Sequence, residues 1–146
     1  MIMDYVDNNC HMREIKFRAI SECKGEHWLY GDIVHYNRNP YTEKWTIHES
    51  ATGVETDVAP NTICQCTGMK DDYGKVIYEG DIIKEMCIEE DRLGKTTFGY
   101  VKYREDIAAF CVFKKDKFCG TLANNNLHAT LEVVGNIYDN KELLED

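Results

Sequence analysis

Gln65-Cys66-Thr67-Gly68-Met69-Lys70-Asp71-Asp72-Tyr73-Gly74-Lys75-Val76-Ile77-Tyr78-Glu79-Gly80-Asp81-Ile82-Ile83 sets the strand pattern for the whole chain. A strand is predicted to end at Thr67-Gly68, and a charged turn to close on Gly74. The apolar rung Val76-Ile77-Tyr78 then runs into a tight turn at Glu79-Gly80, and a new strand leaves through Asp81-Ile82-Ile83. Glycine supplies positive φ at such corners, and aspartate bonds the backbone N–H groups beside them. Corners this tight between β-branched and aromatic residues pin the register of neighbouring strands. The stretch specifies a small β-sheet and no particular reaction.

Upstream, Ile15, Phe17 and Ala19 alternate with Lys16 and Arg18, the period of a strand with one buried face. The run from His27 to Tyr36 places Trp28, Tyr30, Asp32, Val34 and Tyr36 on one side, with Gly31 marking a bulge or a close backbone approach. Gly31-Asp32 echoes Gly80-Asp81, and both pairs are expected where a tight turn opens a strand. After Asn37-Arg38-Asn39-Pro40, the segment Lys44 to His48 reads as a hairpin partner with Trp45 and Ile47 inward. Residues Glu49 to Asp57 read as polar and turn-like. Downstream, strands are predicted over Ile63–Thr67, Thr96–Tyr103, Ala108–Phe113 and Leu131–Tyr138, with a turn at Asn124-Asn125-Asn126. Asn140 is placed to cap one closing helical turn that folds Leu143 and Leu144 back onto the sheet.

The chain has 146 residues, enough for one ordinary domain, with 43% apolar and 11% aromatic residues to build a core. Nine tyrosines and five phenylalanines favour strands over helices. The formal charge of −9 works against non-specific attraction to phosphate backbones. The densest basic patch, Lys114-Lys115-Asp116-Lys117, reads as a solvated turn. Seven cysteines with no apolar leader before them point to reduced thiols in a cytoplasm. No run of apolar residues is long enough for a membrane helix. Residues 1–11 have no periodicity and read as a flexible extension before a second plausible start, Met12.

Met12-Arg13-Glu14-Ile15-Lys16-Phe17-Arg18-Ala19 and Trp28-Leu29-Tyr30-Gly31-Asp32 resemble the opening of YopX-like phage proteins. The block Gln65–Ile83 is similar to that family's central signature, and Leu131-Glu132-Val133-Val134-Gly135-Asn136-Ile137-Tyr138-Asp139-Asn140 to its close. Cys66 stands where an aromatic is usual, Met69 replaces Leu, and Lys141 occupies a position that is commonly Pro. The resemblance implies a phage or prophage origin, an uncharacterised role and an SH3-like barrel. The expected fold is therefore all-β: N-terminal β-hairpins, a barrel core over about residues 62–146, and a short C-terminal helical turn. Residues 12–146 are expected to form one domain.

The chemistry-bearing residues do not assemble into a motif. Cys64 and Cys66 form a C-x-C that, with His48 or Cys87, lacks the paired spacing of a zinc site, and buried thiols are the expectation. His11, His27, His35, His48 and His128 show no metal-binding spacing. Asp71-Asp72, Glu89-Glu90-Asp91 and Glu105-Asp106 read as solvated loop tips. Trp28, Tyr30, Tyr36, Tyr100 and Tyr103 read as core, with Trp28, Tyr30 and Tyr36 the candidate interaction surface. Gly31, Asp32, Gly68, Gly74, Gly80 and Asp81 are assigned to turns. No catalytic residue, cofactor or metal ligand is assigned. The expected function is a non-catalytic accessory protein that binds a host or phage protein in the host cytoplasm, with self-association through open edge strands. Nucleic acid is disfavoured because few Lys or Arg accompany the aromatics, but a nucleic-acid-binding barrel is one alternative. A metal-dependent hydrolase of nucleic acid or nucleotides is the other.

Overall fold

Alternation of apolar and polar side chains and a glycine at most corners leave the chain one economical solution, antiparallel sheets joined by short turns. The computed structural model describes residues 14–23, 25, 27–37, 39 and 41–145. The expected extension 1–11 with His11, the start at Met12, and the turn residues Arg38 and Pro40 lie outside the described residues.

Among the described residues eleven strands follow in order: β1 (Phe17–Ile20), β2 (Trp28–Tyr36), β3 (Lys44–His48), β4 (Glu55–Asp57), β5 (Cys64–Lys70), β6 (Val76–Tyr78), β7 (Asp81–Cys87), β8 (Thr96–Arg104), β9 (Ala109–Lys114), β10 (Lys117–Thr121) and β11 (Ala129–Asn136). One helix, α1 (Leu122–His128), lies between β10 and β11. The strands pair antiparallel in two sheets, ordered β4-β3-β2-β1-β5-β6 and β10-β9-β8-β7-β11. The fold is all-β, as expected, but the pairing does not run round into a closed ring. Where the sequence leads one to expect an SH3-like barrel, the strands form two sheets that do not close, each with its own core. Ala19, Leu29, Ile47 and Val58 fill the first. Ile77, Ile83, Val101, Val112, Leu122, Leu131 and Val133 fill the second. The chain passes from one sheet to the other at Glu79-Gly80, between β6 and β7.

Several local expectations change. Gly31 and Asp32 sit in the middle of β2, opposite Phe17 and His48, and no turn occurs there. The glycine is required by space, because a Cβ on Gly31 would run into the main-chain carbonyl of His48. Gly68 likewise lies inside β5, at a register shift between Cys66 and Lys70, and the strand continues to Lys70. The polar segment after Glu49 contains β4, which pairs with β3. The asparagine triplet is helical: Thr121 caps α1 by accepting from the Asn124 N–H at 3.2 Å, while Leu122 is buried. The closing turn, a 3-10 segment Lys141–Leu144, forms without an Asn140 side-chain cap. That side chain instead accepts from the Asn136 N–H at 3.2 Å.

Candidate functional site

Where the two sheets meet, one cation holds the junction. Arg18 projects from β1, against the alternation that made it a surface residue, and its side chain is 7% exposed. Its Nη2 donates to Asp81 Oδ1 at 2.7 Å and to the Glu79 carbonyl at 3.1 Å. The guanidinium lies 4.7 Å from the Trp28 ring centre and 4.9 Å from that of Tyr78. Its Nε is buried with no hydrogen-bond partner among the described residues, so the two ring faces are what offset the lost hydration. Asp81 Oδ2 accepts from the Tyr78 N–H at 2.8 Å, which ties the carboxylate to the corner it follows. Burial pushes the Asp81 carboxyl up from its ordinary value while the guanidinium pulls it back. Burial opposes the Arg18 charge, yet Asp81 and Cys64 together outweigh it and hold Arg18 above its ordinary value.

The far side of this clasp comes from the C-terminal segment. Trp28 Nε1 donates to Asp139 Oδ2 at 2.8 Å, and the Trp28 and Tyr138 rings meet edge to face at 5.5 Å. The bonds from Asn136 and Trp28 hold the Asp139 carboxyl below its usual range. Tyr138 donates to the Asn61 carbonyl at 3.0 Å, and burial pushes its hydroxyl up to about 12. Burial does the same to Tyr78, also to about 12. Cys64 is buried beside them, its thiol raised by burial and donating to the Thr62 carbonyl at 3.3 Å. Gly80 has φ +80°, and a Cβ there would crowd Tyr138 at 3.3 Å and Cys64 at 3.4 Å. The signature-like stretches of the sequence thus converge on one structural joint.

The paired acids Asp71-Asp72 are not a solvated loop tip. Asp71 is 7% exposed. Its Oδ1 accepts from Tyr73 and Lys75 N–H groups at 2.9 and 2.8 Å, which shapes the turn that Gly74 closes. Its Oδ2 accepts from the Val133 N–H at 2.9 Å, and Asp72 Oδ2 accepts from the Leu131 N–H at 2.5 Å. Two carboxylates therefore occupy the outer edge of β11.

A polar cavity of about 270 Å³ lies under α1, lined by Glu85, Glu89, Lys114, Asn125 and His128 among others. Glu85, 5% exposed, is ion-paired with Lys114 and accepts from Asn125 Nδ2 at 2.7 Å. His128 pairs with Glu89 at 2.8 Å. These groups satisfy one another. Elsewhere His35 stacks on Trp45 at 3.8 Å, and His27 lies 2.5 Å from the Gly25 carbonyl. Among the described residues no three His, Cys, Asp or Glu side chains gather where they could hold a metal ion. The six described cysteines are free thiols.

Of the aromatic candidates, Trp28 is half-buried in the clasp and Tyr30 is 45% exposed, its ring edge to face with Tyr78 at 5.7 Å. Tyr30 and Ile15, which is 54% exposed, line a cleft of about 510 Å³ with Lys16, Trp28, Asp32 and Ser50. Tyr36 lies six residues further along β2, roughly 20 Å from Tyr30 at strand spacing, and donates to Glu55 Oε1 at 2.6 Å. The structure brings Trp28 and Tyr30 together and leaves Tyr36 apart.

A feature no single strand displays lies on the outer face of β8, β9 and β10. Register aligns Tyr100 with Phe113 and Phe113 with Phe118. Their ring centres are 5.8 and 6.1 Å apart. Lys102 Nζ stands 5.8 Å from the Phe113 ring centre, and Arg104 lies 4.6 Å from that of Phe118.

Among the described residues no helix is long and apolar enough to cross a membrane. No curated protein matches the chain. The sequence matches the family described as YopX protein over residues 16–145, nearly its whole length, and the chain belongs to that family.

Proposed function

We propose that this chain is a phage or prophage accessory protein that works in the host cytoplasm by binding another protein, without catalysing a reaction. The contact surface is the β2 face around Trp28 and Tyr30, with Tyr36 at its far end. The observation that carries this reading is the cleft beside Tyr30 and Ile15. Two exposed apolar side chains line it, and the clasp holds its aromatic wall in place. Aromatic groups already fixed before a partner arrives lose little conformational entropy on binding, which makes them effective anchors. Gly31 shapes the cleft, since only a residue without a Cβ lets the end of β3 close against β2. Six free thiols fit a reducing compartment. The clasp gives residues 12–146 a reason to act as one unit, because it ties β1 and β2 to β7 and the C-terminal segment.

The test is affinity capture from phage-induced host cells with the wild-type chain, Tyr30→Glu and Ile15→Glu, each first shown to melt like wild type. The expected result is a specific protein retained by wild type and lost with both variants. Retention of the same proteins by all three chains overturns the reading.

A further inference from the structure

From the ring row on the second sheet we infer that the outer face of β8–β10 is a stacking platform for single-stranded nucleic acid. Tyr100, Phe113 and Phe118 form one row across three adjacent strands. Phe98 lies beside it, two residues from Tyr100 on the same face of β8. Phe118 and Phe98 remain 46% and 36% exposed, so ring surface is available where the row ends and beside it. Every base offers a π-face, and such rings hold unpaired bases without reading their sequence. Bases inside a duplex keep those faces to one another, so the platform selects single strands.

Charge supports the same occupant. Lys102 stands over the row, Lys84 pairs opposite Phe98 on β7, and Lys115 lies in the turn between β9 and β10 that leads to Phe118. None of these three lysines is ion-paired with a carboxylate among the described residues. The nearby acids are engaged: Asp106 pairs with Arg104 at 2.7 Å, and Asp116 accepts from the Tyr100 hydroxyl at 2.9 Å. Glu132 stands opposite Lys84 in register, but on β11, so β7 separates it from the ring row. The chain's net charge of −9 does not cancel this face. At moderate salt, fields from exposed charges fade within about 10 Å. Read one strand at a time, the basic residues are sparse; register is what sets them beside the rings.

Fluorescence anisotropy of the full chain with a labelled oligothymidylate of about 20 nucleotides, against a duplex of the same length, tests the platform. Single-strand binding is expected at about 50 mM salt, weakening roughly 20-fold by about 200 mM for three phosphate contacts. Phe118→Ala and Phe98→Ala, both at exposed positions, are each expected to lower affinity about fivefold or more. Lys102→Gln is expected to flatten the salt dependence. Tyr30→Glu, which addresses the protein-binding face, is expected to leave oligonucleotide affinity unchanged. No binding at the lower salt, equal affinity for duplex, or affinity untouched by both phenylalanine variants overturns the inference.

Discussion

Arg18 shows how much one side chain can decide. A buried guanidinium is tolerable only with a paired carboxylate and with ring faces in place of water, and Asp81, Trp28 and Tyr78 supply these. Removing one member of such a pair strands the other. Arg18→Gln is therefore expected to cost about 3–5 kcal/mol in urea unfolding, because it leaves Asp81 buried without its cation. The same neighbourhood carries a signature at alkaline pH. Tyr78 and Tyr138 are held neutral up to about 12 in the folded chain, whereas an exposed tyrosine ionises near 10. A group whose folded pKa is raised contributes its stability below the unfolded value and loses it as pH climbs through the folded one. Unfolding free energy should thus fall as pH rises from about 10 to about 12. A tyrosinate absorbance titration should find Tyr78 and Tyr138 among the tyrosines that ionise late. Replacing both residues with Phe should remove those late transitions. Neither effect is visible in the linear chain, where Arg18 simply alternates with Phe17 and Ala19.

At the level of strands and turns, the outer edges explain how this molecule avoids unwanted pairing. An exposed edge strand invites addition of another strand, and natural sheets blunt it. Here β4 and β6 are three residues long. β10 carries a register shift before Thr121 and ends in α1. β11 has its N–H groups at Leu131 and Val133 taken by Asp72 and Asp71. Self-association by edge pairing, an expectation from sequence, would use what these devices leave open on β10 and β11. Asp71→Ala removes the acceptor from three backbone N–H groups at once. It is expected to destabilise the chain by roughly 3 kcal/mol. Hydrogen exchange at Val133 should accelerate while exchange at Ala19, in the other core, changes little. The pair Asp71-Asp72 looked like a solvated run because its sequence neighbours are charged and turn-forming. Beyond Tyr73 and Lys75 in its own turn, its partners Leu131 and Val133 lie some sixty residues downstream, beyond the reach of any local pattern.

Across the whole molecule, two cores meet at one junction, with β1 and β2 bonded through Arg18 and Trp28 to the start of β7 and to Asp139. Cooperative unfolding is the expected consequence. Both tryptophans, Trp28 and Trp45, sit in the first sheet, so their fluorescence reports that half. Fluorescence should trace the same urea transition as circular dichroism, which reads both sheets. Asp139→Ala should weaken the coupling and separate the two curves. Alternating side chains, β-branched runs and glycine corners were enough to settle the all-β class, most strand positions and the tight turn at Glu79-Gly80, because each depends on neighbours a few residues apart. Strand order, the division into two sheets with the passage between them at Glu79-Gly80, the burial of Arg18 and Asp71, and the gathering of Phe118, Phe113 and Tyr100 into one row came from the folded chain. Those features arise from contacts between residues far apart in sequence, and a one-dimensional pattern carries no distance between such residues.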